Sequence, residues 1–217
     1  MVFKLFGNAR SRPTLRVAHI LKEMQVPFEF VAIDVQGNEH KTAEYLKKQP
    51  FGQIPYIDDD GFVLFETRAI CKYIATKWRG QGPALFPDPS DLKATALFDQ
   101  ALSIEYSNFD NAAVNIAVEK VYKPKYLNKP TDEALVAEQV SKLEAKLEGY
   151  EAILSKQKYL AGEYVTLADL YHITFGFYIV EEGGLMLFTD EAKYPNMARW
   201  WKDITSRPAW LAVKGGL

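Results

Sequence analysis

Hydrophobic and polar residues follow two different patterns along this chain of 217 residues. In the first part, short apolar runs typical of strands alternate with segments whose apolar residues recur at helical spacing. The predicted strands are residues 2–6, 28–33, 56–58 and 62–64. The predicted helices are residues 11–24, 39–48 and 66–77, and Asp59-Asp60-Gly61 indicates a hairpin turn between the last two strands. This order of elements predicts a thioredoxin-like α/β domain with a mixed sheet.

The remainder of the chain shows only helical periodicity. Residues 91–122 predict one long helix. A second amphipathic helix is indicated by apolar residues at spacings of three and four, namely Val136, Val140, Leu143, Leu147, Tyr150 and Leu154. Thr166-Leu-Ala-Asp169 has the spacing of a helix-capping box, and Pro195 is placed to begin a further helix.

Residues 79–90, which are rich in Gly and Pro, separate the two patterns. Such a composition predicts no regular secondary structure. We therefore predict a thioredoxin-like N-terminal domain over residues 1–80, a linker over 81–90 and an all-helical C-terminal domain over 91–217. The fold class is α/β followed by all-α.

Composition narrows the class of function. Hydrophobic content of 48% and charge of 25% are ordinary for a globular protein, and no apolar run is long enough to cross a membrane. The net charge of −2 argues against nucleic acid as a partner. Residues 1–80 hold 12 basic against 9 acidic side chains, a balance of +3 that suits a small anionic ligand. A single cysteine fits a reducing compartment, and we expect a cytoplasmic protein.

The segment Phe51-Gly-Gln-Ile-Pro-Tyr-Ile carries the first sign of a binding site. A proline cannot donate to a sheet, so Pro55 predicts a rigid loop entering a strand, with a cis bond after Ile54. Ile54 would then keep its backbone N–H and C=O for a ligand. Glu66-Thr67 opens the helix that follows the hairpin, and helix N-termini bind carboxylates. Together these elements suit a small ligand with a peptide-like backbone and a carboxylate.

These motifs, taken in order, resemble the phi class of glutathione transferases. The resemblance covers nearly the whole chain. It is carried by Phe6-Gly-Asn-Ala-Arg-Ser11, Gly37-Asn-Glu-His-Lys41, Gln49-Pro-Phe-Gly-Gln-Ile-Pro55, Leu64-Phe-Glu-Thr67, Ile104-Glu-Tyr-Ser-Asn-Phe-Asp110, Tyr159-Leu-Ala-Gly-Glu-Tyr-Val-Thr-Leu-Ala-Asp169 and Tyr194-Pro-Asn-Met-Ala-Arg-Trp-Trp201. It implies an enzyme that conjugates glutathione to small hydrophobic electrophiles, with glutathione as co-substrate and no other cofactor.

The resemblance implies that Ser11 is the catalytic residue. Its hydroxyl would donate to the glutathione sulfur while the helix N-terminus adds positive potential, and both favour the reactive thiolate. A purely structural role as a helix N-cap is the alternative interpretation. Arg10 and Arg12 flank Ser11, where the family has small or apolar residues, and either offers a second source of thiolate stabilisation.

The other implied glutathione-binding residues lie in three short segments. They are His40, Lys41, Gln53, Ile54, Pro55, Glu66 and Thr67. Glu66 would bind the ammonium and Thr67 the carboxylate of the γ-glutamyl group, while His40, Lys41 and Gln53 would bind the glycyl end. Helix capping for Glu66 and Thr67, and a solvated polar helix for His40 and Lys41, are the alternatives.

For the electrophile, the resemblance points to a site between the domains. The implied wall residues are Arg12, Val35, Val118, Tyr122 and Tyr178, although aromatic residues at helical spacing are more often core. Organic hydroperoxides are a second expected substrate class, reduced with the same Ser11. A non-catalytic carrier of hydrophobic or aromatic molecules is the alternative function.

The resemblance also implies a homodimer, in which the apolar side chain of Phe51 would insert into the second domain of the partner subunit. Local packing of Phe51 is the alternative. We predict that Cys71 is a buried apolar group and that His19 and His172 are structural, since no metal-ligand spacing surrounds them. No metal site is expected.

Overall fold

Four strands form one mixed sheet in the first part of the chain. In the computed structural model, which describes residues 3–217, they are β1 (Phe3–Gly7), β2 (Phe28–Ala32), β3 (Tyr56–Asp59) and β4 (Phe62–Phe65). The order in the sheet is β2-β1-β3-β4. β1 and β2 are parallel, whereas β3 is antiparallel to both β1 and β4. The predicted α/β fold with a mixed sheet is confirmed.

The predicted hairpin is also confirmed, with a shorter turn. Asp59 belongs to β3 and pairs with Phe62, so the turn consists of Asp60 and Gly61 alone. Both turn residues have positive φ, 57° and 88°, as a two-residue turn between twisted strands requires. Of the first predicted strand, Val2 lies outside the described residues.

Three helical segments accompany the sheet. α1 (Arg12–Glu23) begins after Ser11, whose side chain accepts the N–H of Thr14. A 3₁₀ turn (Glu39–Lys41) precedes the short α2 (Ala43–Leu46), where the sequence predicted one helix over 39–48. Thr42 separates the two because its extended backbone caps α2. α3 (Thr67–Lys77) follows β4 directly.

The second half is helical, as predicted. Its α-helices are α4 (Leu92–Glu105), α5 (Asn111–Ala117), α6 (Lys123–Tyr126), α7 (Glu133–Leu154), α8 (Leu167–Tyr171), α9 (Ile173–Phe177), α10 (Pro195–Thr205) and, near the end of the chain, α11 (Pro208–Leu211). The long helix predicted over 91–122 is present, but π-helical segments Tyr106–Asp110 and Val118–Tyr122 interrupt its α-helical pitch. A third π-helical segment, Tyr178–Glu182, follows α9.

The described chain divides into two compact units. One comprises the residues up to Ala84 together with Arg207–Leu217, and the other comprises Leu85–Ser206. The sequence-based division assigned 207–217 to the helical domain, whereas α11 contacts α1 of the first unit. An ion pair explains this attachment: Arg207 Nε and Nη2 donate to the two carboxylate oxygens of Glu23 at 2.6 and 2.7 Å.

Glu23 is held on its other side by His19, whose Nε2 lies 3.1 Å from Glu23 Oε1. Both residues are buried. Burial lowers the pKa of His19, so the ring is neutral near pH 7 and donates Nε2–H to the carboxylate. Burial by itself raises the pKa of Glu23, but hydrogen bonds from Arg207 and then His19 outweigh it and bring the pKa to about 2. Glu23 therefore stays ionised down to strongly acidic pH.

Within the helical unit, a fully buried carboxylate connects three segments. Asp169 Oδ1 accepts Leu160 N–H and Trp200 Nε1–H, each at 2.9 Å. Its Oδ2 accepts the N–H and hydroxyl of Thr166 at 2.8 and 2.9 Å. The predicted capping box at the start of α8 is confirmed. Asp169 thereby also ties the loop after α7 to α10.

None of the helices within residues 3–217 combines the length and the hydropathy that a bilayer crossing requires.

We predict that Asp169→Ala destabilises the protein by at least about 3 kcal/mol, because it leaves four buried donors without an acceptor. Denaturant unfolding followed by far-UV circular dichroism measures the change. Asp132→Ala is the matched control, since Asp132 caps α7 at an exposed site through a single bond to Leu135 N–H. It should cost about 1 kcal/mol. Equal losses in the two variants would contradict this role for Asp169.

A second prediction concerns acid. The folded pKa of Glu23 is about 2 against an ordinary 4.5, so the unfolded chain binds more protons between these values and stability falls as the pH drops through them. His19 acts in the same direction below its ordinary 6.5, because its folded pKa is lowered. Glu23→Gln should cost about 3 kcal/mol near neutral pH and flatten the acid dependence. Denaturant unfolding between neutral and acidic pH measures both effects.

Glu44→Gln is the control, because the Glu44–Lys47 ion pair is exposed. It should leave the acid profile as in the unmodified chain. A Glu23→Gln profile parallel to that of the unmodified chain would show that the ion pair is not the acid-sensitive element.

Candidate functional site

The sheet register brings several predicted site residues to one end of the sheet. Phe6 pairs with Tyr56, and Tyr56 pairs with Phe65. The end of β1, the start of β3 and the end of β4 therefore lie side by side. The segments that adjoin this end supply Ser11 before α1, Ile54 and Pro55 before β3, and Glu66 and Thr67 at the start of α3. The site is thus assembled from the ends of strands held in one sheet.

Ser11 lies at the N-terminus of α1 and is 8% exposed. Its extended backbone (φ −71°, ψ 131°) is that of an N-cap residue, and its Oγ accepts Thr14 N–H at 3.3 Å. A second contact joins Ser11 Oγ to Thr14 Oγ1 at 2.9 Å. The capping role is therefore present. Capping uses only the acceptor capacity of the hydroxyl and leaves its proton for another partner.

The peptide bond between Ile54 and Pro55 is cis, as the sequence predicts. Among residues 3–217, neither Ile54 N–H nor Ile54 C=O has a backbone or side-chain partner. The neighbouring Gln53 is fixed by two bonds: Tyr45 hydroxyl donates to its C=O at 2.7 Å, and its N–H donates to Gln49 Oε1 at 3.2 Å. A rigid loop therefore presents one unpaired backbone donor and one unpaired acceptor.

Glu66 and Thr67 open α3 beside this loop. The Glu66 side chain makes no capping hydrogen bond, and its backbone adopts φ 70°, ψ 110°. Glu66 therefore makes no side-chain cap, whereas its carboxylate still lies at the positive end of the α3 dipole, as the structural alternative also requires. Thr67 Oγ1 accepts Arg16 Nη1–H at 3.4 Å and keeps its own proton. The uncapped N-terminus of α3 can receive a carboxylate, and the exposed Glu66 carboxylate can receive a cation.

His40 and Lys41 lie in the 3₁₀ turn and approach the same loop. Lys41 Nζ donates to Gly52 C=O at 2.6 Å, which places the ammonium one residue from Gln53. Gly52 has φ 59°, and a Cβ there would lie 2.9 Å from both His40 C=O and Lys41 Nζ, so only glycine permits this approach. His40 Nδ1 is buried without a hydrogen-bond partner in the described part of the chain. Partial burial, then the charge of Lys41, lowers the pKa of His40.

Sequence reasoning missed the residues that hold this loop. Tyr45 and Gln49 are buried, at 6% and 2% exposure, and both bond to Gln53. In the sequence, Gln49 appears only as part of the segment before Pro55. A polar residue that follows a short helix and directly precedes a proline was the available signal for its role.

The proposed substrate-wall residues divide between the two units. In the first unit, Arg12 is 5% exposed, and Val35 packs against a core cluster that includes Ile33. In the second unit, the Tyr122 and Tyr178 rings meet edge to face at 5.8 Å. Their assignment to a substrate site stays a prediction.

The residues that the sequence assigned to structural roles occupy such positions. Burial raises the pKa of the Cys71 thiol to about 12, so no thiolate forms there near neutral pH. His172 is 1% exposed, contacts Tyr150 hydroxyl at 2.9 Å through Nε2 and lies 2.8 Å from Ala168 C=O through Nδ1. Within residues 3–217, no group of three or more carboxylate, His or Cys side chains could hold a metal ion.

Comparison with protein families gives two matches. The family model described as "Glutathione S-transferase, N-terminal domain" matches residues 1–76. The model described as "Glutathione S-transferase, C-terminal domain" matches residues 111–208.

Comparison with individual proteins covers nearly the whole chain. It is similar to glutathione S-transferase PM239X14 from Arabidopsis thaliana, at 44% identity over 91% of this chain and 89% of that protein. It superposes on glutathione transferase F7 from Populus trichocarpa with a TM-score of 0.91, 37% identity, and 99% and 98% of the two chains covered. It also superposes on maize glutathione S-transferase I in complex with an atrazine glutathione conjugate, with a TM-score of 0.88 and 33% identity. That superposition covers 99% of this chain and 97% of the maize chain.

Proposed function

The chain belongs to the phi class of the glutathione S-transferase family, and from that premise we propose that Ser11 stabilises the thiolate of bound glutathione for attack on hydrophobic electrophiles. Glutathione is its co-substrate, and the reaction needs no other cofactor. The resemblance found in the sequence motifs is confirmed at the level of family, fold and transferase activity.

The observation that carries the proposal is the convergence at one end of the sheet. A serine hydroxyl at a helix N-terminus, the unpaired backbone groups of Ile54 and the uncapped start of α3 lie at the edge of the sheet where β1 and β4 end and β3 begins. These are the groups that a thiol-containing tripeptide needs. Its cysteinyl backbone would pair with Ile54, which sets the sulfur toward the loop after β1.

Two charged ends of glutathione would be bound by different elements. The γ-glutamyl carboxylate would lie on the N-terminus of α3 at Thr67, and its ammonium on Glu66. The glycyl carboxylate would lie near Lys41, which uses one N–H on Gly52 C=O and has two left. His40 and Gln53 would complete that end.

Thiolate formation requires a modest free energy. A free thiol titrates near about 8.5, and lowering its pKa by roughly two units needs about 2.7 kcal/mol. One hydrogen bond from Ser11 to the anion supplies about 1.5–3 kcal/mol, and the N-terminus of α1 adds up to about 1 kcal/mol. No general base is needed, because the thiol proton leaves to solvent when glutathione binds.

The thiolate then attacks an electrophilic carbon and forms a carbon–sulfur bond. An aromatic halide loses its halide ion, whereas an enone loses nothing and its enolate takes up a proton from solvent. With a hydroperoxide, the sulfur attacks oxygen and releases an alcohol, and a second glutathione reduces the resulting sulfenic acid to a disulfide and water. The maize structure holds a glutathione conjugate, which supports conjugation as the main reaction. In the helical unit, the residues proposed to contact the electrophile are Val118, Tyr122 and Tyr178.

A panel of aromatic halides, enones and organic hydroperoxides assayed with glutathione tests this function. Turnover of at least one class supports it. Tight binding of planar dyes with no turnover of any class would instead identify a carrier of hydrophobic molecules.

We also propose a homodimer in the cytoplasm. Phe51 is 67% exposed, and the Phe65 ring lies 6.1 Å from its ring, edge to face at an interplanar angle of 72°. So large an exposed ring beside a binding loop suits burial in a second copy. A single buried cysteine and reduced glutathione both suit a reducing compartment.

We predict that Ser11→Ala raises the pKa of bound glutathione by about 1–2 units, since one charge-assisted hydrogen bond is lost. Below both pKa values, turnover should fall roughly 10- to 100-fold while glutathione affinity changes little. Ultraviolet absorbance of the thiolate across a pH series measures the shift. Asp91→Ala controls for loss of an N-cap, because Asp91 caps α4 through Ala94 N–H.

An unchanged titration in Ser11→Ala would transfer the stabilising role to Arg10, Arg12 or a backbone N–H. A loss of glutathione affinity equal to the loss of turnover would make Ser11 a binding residue only.

We predict that Phe51→Ser converts a dimer into monomers, because it removes an apolar anchor from the interface. Light scattering measures the mass in solution. Phe62→Ser is the matched control, since Phe62 is also an exposed ring, at 48%, but lies on the hairpin. Dimers in both variants would assign Phe51 to local packing against Phe65.

A further inference from the structure

We propose that Thr14 is a positioning residue, whose hydroxyl donates to Ser11 Oγ and so directs the Ser11 proton outward to the glutathione sulfur. The inference rests on the proposed role of Ser11 and adds a residue that the family resemblance did not suggest.

Thr14 contacts Ser11 Oγ twice, once through its backbone N–H and once through its hydroxyl. Thr14 N–H donates to Ser11 Oγ at 3.3 Å, and the two hydroxyl oxygens lie 2.9 Å apart. Thr14 is fully buried in the first turn of α1. Within residues 3–217, the Thr14 hydroxyl contacts no other hydrogen-bonding group.

This isolation sets the direction of the hydroxyl contact. If Ser11 donated to Thr14, the proton of the buried Thr14 hydroxyl would have no acceptor, which proteins avoid. If Thr14 donates to Ser11, every buried group is satisfied. The second arrangement is therefore the stable one.

The consequence for Ser11 follows from the capacity of a hydroxyl, which has one proton and two acceptor positions. Thr14 N–H and Thr14 O–H fill both acceptor positions. The Ser11 hydroxyl can then only donate its proton. Its partner must therefore be a hydrogen-bond acceptor, and the glutathione thiolate is one. Ser11 cannot take the thiol proton itself, so Thr14 also separates hydrogen-bond donation from base catalysis at this residue.

The position of the Thr14 side chain is set by β1. A Cβ at Gly7 would lie 2.4 Å from Thr14 Oγ1 and 2.9 Å from Thr14 Cγ2, so the side chain fills the space that glycine leaves. The sheet holds Gly7 through its pairing with Ala32. Thr14 is thus locked between the last residue of a strand and the serine.

Thr14→Val tests the inference, since valine keeps the shape and the backbone N–H but loses the hydroxyl proton. A hydrogen bond that donates into another strengthens it by about a tenth to a third. We expect the pKa of bound glutathione to rise by about 0.2–0.7 unit, and turnover below that pKa to fall roughly two- to fivefold. Turnover well above that pKa should be unchanged. Thr14→Ser keeps a hydroxyl and should restore turnover below the pKa.

Thr174→Val is the matched control. Thr174 is also fully buried in a helix, and its Oγ1 has no hydrogen-bond partner in the described chain. The pKa of glutathione bound to the Thr174→Val variant should equal that of glutathione bound to the unmodified protein. If Thr14→Val fails to fold, Thr14→Ala removes the same proton and takes its place.

The double variant Ser11→Ala/Thr14→Val separates this inference from the proposed function. A shift in Ser11→Ala with no further shift in the double variant supports both. A shift in Ser11→Ala with none in Thr14→Val overturns the role of Thr14 alone. If the double variant shifts the pKa beyond Ser11→Ala by as much as Thr14→Val does alone, Thr14 acts without Ser11, and its proposed role is also overturned. No shift in Ser11→Ala overturns the proposed function itself.

Discussion

Burial of α1 is the constraint on which the rest of the binding unit depends. Its apolar residues, among them Leu15, Ala18 and Ile20, are fully buried, and the helix contacts both α3 and β1. Protein interiors are close-packed, so the neighbours of a helix buried in this way fix its position. Since Ser11 caps the start of that helix, hydrophobic packing also sets the position of the hydroxyl that is proposed to meet substrate. Preorganisation of this kind reduces the entropy lost when reactants are aligned.

Much of the proposed glutathione site is built from backbone, with side chains serving to hold it. Ile54 would contribute its N–H and C=O, and the first turn of α3 would contribute N–H groups. Tyr45, Gln49 and Lys41 have no proposed contact with the cysteinyl unit, yet each bonds to residue 52 or 53. The chain therefore uses polar side chains, of which Tyr45 and Gln49 are buried, to hold a loop whose own backbone groups stay available.

Sequence reasoning succeeded where local interactions decide the structure. Periodicity, the Asp60-Gly61 turn and the Asp169 capping box involve neighbours in the chain, and all were predicted. It failed where partners are distant: Arg207 bonds to Glu23 across 184 residues and draws the last helix to the first unit. The sequence did not predict the π-helical segments, each of which is a single turn that adjoins an α-helix. Ser11 was predicted from its family context, whereas its contact with Thr14 required coordinates.

The backbone of Glu66 lies at φ 70° and ψ 110°, a conformation that a residue with a Cβ rarely adopts and that costs about 1–3 kcal/mol. Such strain persists only where the surrounding structure fixes the residue, and β4 and α3 adjoin Glu66 on either side. The folding of these two neighbours therefore offsets a local cost at Glu66. In the proposed site, that offset keeps an exposed carboxylate at the start of α3.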